Sequence, residues 1–473
     1  MQPVLTAEQM REVDRRAASS GTPTEVLVAR AGTAVANEAL RMLRGAYGAR
    51  VVVVAGRGNN GADGRVAAAV LRRRGAQVLV LDAREAPARL PACDLVIDAA
   101  YGTGFRGEYL APDPGAAPVL AVDLPTGVDA DSGTAGEGAV AAAATVTFGA
   151  LKPGLLVGEG RRRAGRVRLE PIGLPVPGPG DCDVLLVEDG DVAELVPRRP
   201  AETHKWATAV AVVAGSPGMY GAATYVARAA MRAGAGMVRL GIPGAAPADL
   251  PVAEAVSRAL PASGFDEPAL EGLERCKALV VGPGLGPERP TRASVRRLVT
   301  RAPVPVVVDA DGLSALGGEA QAAEVLAPRS APTVLTPHDG EFTRLTGSPP
   351  GADRFAAVRG AAARTGAVVL LKGSTTLVAE PSGRLLVSTS GSSRLATAGT
   401  GDVLSGVVGA FLARGLGPLE AAALAAQVHG RAAELGPAEG LLAGDLPELV
   451  AAVLSRALEA GAGRLGQGGG RAG

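Results

Sequence analysis

The sequence predicts an α/β protein in which two doubly wound, mainly parallel sheets follow one another along the chain. Three observations carry this. Short Val-rich apolar runs alternate with stretches of helical length, as in strands buried on both faces and joined by crossover helices. The rhythm breaks at Pro171-Ile-Gly-Leu-Pro-Val-Pro-Gly-Pro-Gly180 and then resumes. Glycine-rich loops follow several of the apolar runs, which is where open α/β sheets place their ligands.

Thr6-Ala-Glu-Gln9 has the spacing of a capping box and opens the first helix. Strand candidates then fall at 51–55, 77–81, 95–99, 119–123 and 145–148, with a crossover helix at 65–75. After the break they fall at 209–214, 278–281, 304–308, 333–335 and 368–371, with Ala-rich helices at 222–233 and 403–413. The expected organisation is a first domain over 1–170, a linker over 171–199, a second domain over 200–460 and a Gly-rich disordered tail over 461–473.

Composition narrows the function. Of 473 residues, 47% are hydrophobic, enough for sizeable cores, and the net charge of +1 lacks the basic excess of a nucleic-acid or anionic-membrane binder. The runs Arg72–Arg74 and Arg161–Arg163 read as solvated faces. Cys93, Cys182 and Cys276 are isolated, which suits reduced thiols in a cytosol. The N-terminus lacks a basic region followed by an apolar one, and no apolar run approaches the ~18 residues of a membrane span. The expectation is a cytoplasmic homo-oligomer that acts on small molecules, with no nucleic acid and no membrane as partner.

In the first half, a Val-rich run leads into Gly56-Arg-Gly58-Asn-Asn-Gly61, a G-x-G-x-x-G turn. Asp82 stands about 20 residues on, where a dinucleotide fold keeps its ribose-binding carboxylate. Asn59, Asn60 and Asp63 do not fit a plain pyrophosphate turn, which needs only backbone N–H groups and a helix N-terminus. Two further strand-end loops, Asp98-Ala-Ala-Tyr-Gly-Thr-Gly104 and Asp123-Leu-Pro-Thr-Gly-Val-Asp-Ala-Asp131, add the carboxylates of Asp98 and Asp123 and the hydroxyl of Thr126. This oxygen-rich set suits a hard cation over zinc, and Gly102-Thr103-Gly104 offers N–H groups to a phosphate.

These three motifs, in that order, resemble the NAD(P)H-hydrate epimerase domain over roughly residues 6–170. The resemblance implies a Rossmann-like three-layer fold. It also implies that the dinucleotide is the substrate, a nicotinamide hydrate of NADH or NADPH (NADHX or NADPHX), so that no hydride need move. It puts potassium on Asn60, Asp98 and Thr126, and makes Asp98 catalytic. It puts substrate against Asn59, Asn60, Gly61, Ala62 and Asp63, against the stretch from Gly102, Thr103 and Gly104 to Glu108, and against Asp123. The family usually has Gly at Ala62, and a common early-helix Glu is Ala29 here.

In the second half, Lys372-Gly-Ser-Thr-Thr376 follows a strand and Ala396-Thr-Ala-Gly-Thr-Gly-Asp402 precedes a helix. Small residues at 398–401 let successive N–H groups converge on an anion. A carboxylate beside that hole repels phosphate. Asp402 therefore reads as a base that takes a proton from a hydroxyl attacking a phosphoryl group. G-T-G-D before a helix resembles the ribokinase-like superfamily. Together with His204-Lys205, Ala214-Gly-Ser-Pro-Gly-Met-Tyr-Gly-Ala222, Gly282-Pro-Gly-Leu-Gly286, Asp309-Ala-Asp-Gly-Leu313 and Leu335-Thr-Pro-His-Asp-Gly-Glu-Phe342, it is similar to the ADP- or ATP-dependent NAD(P)H-hydrate dehydratase domain over roughly 200–458.

That resemblance puts nucleotide at Lys372, Gly373, Ser374, Thr375 and Thr376, and at residues 392–401 with Ala398, Gly399, Thr400 and Gly401. It puts the hydrate near Ala222, Gly284, Asp402 and the stretch His338, Asp339, Gly340, Glu341 to Arg344, and brings magnesium with ADP or ATP. The implied function is nicotinamide-nucleotide repair. The first domain interconverts R and S hydrates; the second phosphorylates the S hydrate and expels phosphate. The alternative is a ribokinase-like small-molecule kinase with a non-catalytic nucleotide-binding N-terminal domain. The family's usual residues are replaced at Trp206, Asp339 and Ser392-Ser-Arg394.

Overall fold

The computed structural model describes residues 1–105, 107, 109–246 and 251–468, and of 460–468 the backbone alone. The chain forms two compact units whose main boundary lies between Cys182 and Asp183.

The first unit is built on a six-stranded parallel sheet. Its order is Gln77–Asp82, Arg50–Ala55, Leu95–Ala99, Val119–Val122, Ala144–Phe148, Arg166–Glu170. Successive strand side chains point to opposite faces. Val51, Val53, Leu95 and Ile97 pack with Ala31, Val35, Ala67 and Leu71 of the helices Thr24–Leu43 and Asn59–Arg73, while Val52, Val54 and Val96 build the core on the other face. Burial on both faces is why these strands read as unbroken apolar runs. The strand order reverses between Arg50–Ala55 and Leu95–Ala99, which leaves a crevice at their carboxyl ends. The expected capping box is present at Ala7–Ser19: Gln9 N donates to Thr6 Oγ1 (3.2 Å) and Thr6 N to the Gln9 side chain (2.9 Å). The strand Arg166–Glu170 escapes sequence reading because it lies at the sheet edge, where charged residues replace an apolar run.

In the second unit the strands run Val184–Leu186, Leu385–Ser388, Thr376–Ala379, Val368–Leu371, Thr333–Leu335, Val306–Val308, Ala278–Val281, Ala209–Val213, Met237–Gly241, Val256–Arg258. Among the described residues only Thr376–Ala379 is antiparallel to the strands on both its sides. Met237–Gly241 is not evident in the sequence because Arg239 interrupts its apolar run.

Two expected boundaries need correction. The assigned linker 171–199 contains the strand Val184–Leu186, paired in parallel with Leu385–Val387, and the helix Asp189–Leu195. Asp189 of that helix accepts from Gln427 Nε2 (2.7 Å) and Arg431 Nε (2.8 Å). A strand of three residues is too short to show a period. The assigned tail 461–473 begins inside the helix Leu446–Gly468, and its residues 469–473 lie outside the described residues. No described helix is long and apolar enough to cross a membrane.

A fragment starting at Asp183 should fold as the second unit. One starting at Pro200 lacks the edge strand and the buried Val184, Leu185, Val187, Val192 and Val196. Each such side chain contributes about 1.5–3 kcal/mol, so the shorter fragment should melt roughly 10 °C lower or more. Equal melting temperatures in calorimetry would return 183–199 to the linker.

Candidate active sites

At the carboxyl edge of the first sheet lies a cleft of about 760 Å³. Glycine shapes it. A Cβ on Gly56 would stand 1.9 Å from the Ala100 carbonyl oxygen, and one on Gly61 would stand 1.9 Å from that of Gly56. Strand end, loop and helix start therefore meet backbone to backbone, which no other residue permits. The helix begins at Asn59, earlier than the expected 65, so Asn59, Asn60 and Asp63 lie in its first turns and line the cleft. Ala62 is helical, its N–H bonded to Gly58 O at 3.0 Å, so its methyl stands on a helix and not in the tight turn. Ala29 lies on an exposed face of Thr24–Leu43. Asp82 is not in the lining: it accepts from Arg84 N (2.9 Å) and faces Arg57 at 3.9 Å.

Asp98 and Thr126 lie behind the lining and are buried. Asp98 accepts from Thr126 N (2.8 Å), Thr126 Oγ1 (2.7 Å) and Ala100 N (3.3 Å), and Thr126 Oγ1 in turn accepts from Tyr101 N (3.1 Å). Burial pushes the Asp98 carboxyl up to about 6, against these hydrogen bonds. Among the described residues no cation pairs with it. Asn60 Nδ2 is buried without a partner. A buried carboxyl with no cation partner and a buried amide with an unsatisfied nitrogen, whose oxygen and nitrogen exchange places on a flip, are each suited to ligate a cation through oxygen.

Asp123 has φ +67°, a strained value for a non-glycine residue. A network holds it there. Lys152 Nζ donates to Asp123 Oδ1 (2.6 Å), Thr147 Oγ1 (2.9 Å) and Phe148 O (2.9 Å), and Thr147 Oγ1 donates to Asp123 Oδ1 (3.1 Å). Lys152 is 1% exposed and lines the cleft. Sequence reading missed it; the available signal was a lone lysine in the apolar stretch after the buried strand Ala144–Phe148, in Leu151-Lys-Pro-Gly154. Gly102, Thr103 and Gly104 line the same cleft, while Arg106 and Glu108 lie outside the described residues.

In the second unit, Gly399 at φ +91° starts the helix Thr400–Ala413, with Asp402 in its first turn. Lys372 Nζ donates to Asp309 Oδ1 (2.6 Å) and Ser405 Oγ to Asp309 Oδ2 (2.7 Å). The ammonium stands 3.2 Å from where a Gly401 Cβ would be, so it rests against the helix start. Burial, then the Asp309 charge, pushes the Asp402 carboxyl up to about 7, with Lys372 opposing. A Gly391 Cβ would lie 2.7 Å from both Gly373 O and Ser374 O, so the loops carrying 372–376 and 392–401 pack together. Thr375 and Thr376 are buried and Ser374 is exposed. A Gly284 Cβ would lie 2.9 Å from that of Ala222, which brings those two residues together as well.

His338 caps the helix Asp339–Thr346. Its Nδ1 accepts from Gly340 N (3.0 Å) and Glu341 N (3.3 Å), and Glu341 Oε2 accepts from His338 N (3.0 Å). Asp339 takes the first helical position, which suits a carboxylate as it suits the family's proline. The charge of Glu341 is felt by both Lys372 and Asp402. Arg394 Nη1 donates to the carbonyls of Ala433, Glu434 and Gly436, closing the end of Pro418–Leu435. Sequence reading also missed His429, buried against Thr400 and held neutral by burial, which pushes its imidazole down to about 4.

Fold and sites define a class: a Rossmann-like domain with a cleft at its sheet edge, joined to a ribokinase-like domain with a buried carboxyl at a glycine-started helix. The sequence matches the family described as NAD(P)H-hydrate dehydratase over residues 210–456, and the YjeF-related protein N-terminus over 24–89 and 81–154. It is 34% identical to the bifunctional NAD(P)H-hydrate repair enzyme Nnr of Moorella thermoacetica, over 95% of this chain and 96% of that one. It is 41% identical to that of Mycobacterium tuberculosis (strain ATCC 25618 / H37Rv), over 85% and 87%. The ADP/ATP-dependent NAD(P)H-hydrate dehydratase from Bacillus subtilis, co-crystallized with ATP/Mg2+, superposes with TM-score 0.50 at 31% identity, covering 57% of this chain and 97% of that one. A ribokinase-like superfamily protein from Enterococcus faecalis, with TM-score 0.51 at 20% identity, shares the fold. The chain belongs to the bifunctional NAD(P)H-hydrate repair enzymes, combining epimerase and dehydratase. This decides against a small-molecule kinase with a non-catalytic first domain.

Lys152→Met would leave Asp123 strained and unpaired. Breaking such a buried pair costs about 3–5 kcal/mol. The unfolding transition of the first unit should shift accordingly while that of the second stays; an unmoved transition would show that the pair does not hold the loop.

Proposed function

We propose that hydrated NADH and NADPH are repaired at these two sites by the residues described. The observation that carries the reading is Asp402, set at a helix start beside the Lys372–Asp309 pair. Asp402 takes the proton of the ring hydroxyl, and the oxygen attacks the terminal phosphoryl group of ADP or ATP. Lys372 and the N–H groups at 399–401 face the charge that develops on the transferring group. The ring nitrogen lone pair then expels phosphate, and the neighbouring carbon gives up a proton to restore the double bond. Gly284, Ala222 and the 338–344 stretch hold the hydrate; 372–376 and 392–401 hold the nucleotide. Among the described residues no cluster of three His, Cys, Asp or Glu side chains gathers. Magnesium accompanying the nucleotide would thus be held mainly by phosphate oxygens and water.

In the first cleft, R and S hydrates exchange at the carbon bearing the hydroxyl. Asn59 to Asp63, Gly102 to Gly104 and Asp123 surround the substrate. Asn60, Asp98 and Thr126 would hold potassium, which balances substrate phosphate and ties the strand-end loops together. Asp98 would serve catalysis by holding that ion in place. The reading includes a cytoplasmic homo-oligomer without nucleic-acid partners, supported by the near-neutral charge of +1 and the free Cys93, Cys182 and Cys276.

Asp402→Asn should abolish nucleotide-dependent dehydration and spare nucleotide binding. A base must be ionised, so wild-type kcat/KM for dehydration should rise with pH through about 7 and level off above. A flat profile, or dehydration near the wild-type rate in the variant, would remove Asp402 as the base.

Asp98→Ala should lower epimer exchange in potassium buffer by roughly 10–100-fold and leave dehydration unchanged. Wild-type exchange should also slow when a bulky organic cation replaces potassium. Equal rates and melting temperatures in the two buffers would rule out a functional ion.

A further inference from the structure

We propose that Asp63 is the proton donor for epimer exchange, delivering its proton to the ring hydroxyl of the hydrate in the first cleft. The proposal rests on the epimerase reading of that cleft. It assigns a proton-transfer role to a residue which the motif resemblance makes only a contact.

Its partners set Asp63 apart from Asp98 and Asp123, and its burial sets it apart from Asp14, the exposed carboxyl of the same cleft. It lies in the second turn of Asn59–Arg73, is 6% exposed and lines the cleft. Asp98 is committed to Thr126 and Ala100, and Asp123 to Lys152 and Thr147. Among the described residues Asp63 has no hydrogen bond or ion pair to its carboxyl. Its oxygens are nonetheless absent from the fully enclosed unpartnered atoms, so the remaining exposure opens to the cleft.

The charged groups facing it come from several elements. Asp14 stands at the rim from Ala7–Ser19, Arg84 from the loop after Gln77–Asp82, and Asp123 with Lys152 from the far strands. The helix Thr24–Leu43 contributes only Thr24, Leu27, Val28 and Ala31. Burial first, and the Asp123 charge second, push the Asp63 carboxyl up to about 8. It is therefore a carboxylic acid at neutral pH, able to donate where ionised carboxylates only accept. A neutral acid beside a charge-paired carboxylate is the division of labour that separates acid from base in two-carboxyl sites.

The step balances without a further reactant. The hydroxyl sits on the carbon bonded to the ring nitrogen. Asp63 protonates that hydroxyl, the C–O bond breaks, and water leaves as the nitrogen lone pair forms a C=N⁺ bond. Water adds to the opposite face, forming a new C–O bond. The surplus proton returns through cleft water to the Asp63 carboxylate, which resets the acid.

The experiment uses the full chain with R hydrate and no ADP or ATP, so that only exchange is observed, by chromatography of the epimers. Wild type exchanging R to S tests the epimerase reading itself. Given that exchange, Asp63→Asn should lower its rate by about 10²–10⁴-fold while S-hydrate dehydration with ADP, measured on the same preparation, stays at the wild-type rate. Wild-type exchange should fall as pH rises past about 8, because the acid is lost. That limb should be absent from the residual rate of Asp63→Asn and present in Asp63→Glu, which restores a carboxyl. A purely structural role would lower the rate without removing the limb. The proposal is overturned if Asp63→Asn exchanges within a few-fold of wild type, or is slow with the alkaline limb intact.

Discussion

Both sites depend on backbone approaches that leave no room for a side chain. In the first unit the Cβ positions of Gly56 and Gly61 fall 1.9 Å from carbonyl oxygens of Ala100 and Gly56. In the second the Cβ position of Gly282 falls 1.9 Å from the carbonyl oxygen of Asp309. Each contact pulls a loop onto the carboxyl edge of a parallel sheet, where strand ends from distant parts of the chain become neighbours. Asp309, Lys372 and Asp402 are far apart in sequence, and so are Asn60, Asp98, Asp123 and Lys152. Only this edge gathers them.

The two sites use buried charge differently. The second keeps a full ion pair, Lys372 with Asp309, next to a carboxyl whose affinity for protons is raised. On the proposed reading, a cation and a base thus coexist where a transferring phosphoryl group needs both. The first holds its ion pair, Lys152 with Asp123, to shape a strained loop, and leaves Asp63, Asp98 and the more exposed Asp14 without a cation partner among the described residues. Asp98 lies behind the lining, bonded to Thr126 and Ala100, and Asp63 in the lining itself. Position relative to the cleft, and not residue type, separates their roles.

Much of this was readable in the sequence. Buried parallel strands carry their signature in every residue, so Arg50–Ala55, Leu95–Ala99, Ala209–Val213 and Ala278–Val281 fall where the Val-rich runs place them, whereas Met237–Gly241, Thr376–Ala379 and Leu385–Ser388, also flanked on both sides, are not marked by such runs. The edge strand Arg166–Glu170 carries half that signal and Val184–Leu186 is too short to carry any, which is why the sequence extends the linker to residue 199. The helix start at Asn59 was hidden because its first turn is made of Asn, Gly and Asp, residues that read as loop. Motif residues were visible because their spacing is local. Lys152 and His429 were not, since a lone lysine or histidine gains meaning only from what surrounds it in space. His338 was visible, but its capping of Asp339–Thr346 through Nδ1 was not.

The central claim is that one chain carries two independent sites that act in series on one damaged molecule. It is tested most directly by giving a mixture of R and S hydrates, with ADP, to wild type and to Gly61→Ala, whose added methyl collides with the Gly56 carbonyl. Return of reduced-nicotinamide absorbance is followed to completion. The account predicts that wild type converts the whole mixture. The variant should convert the S hydrate at the wild-type initial rate and then stop with R hydrate remaining. Complete conversion by the variant at the wild-type rate, or loss of the initial S-hydrate phase, would contradict two separate sites.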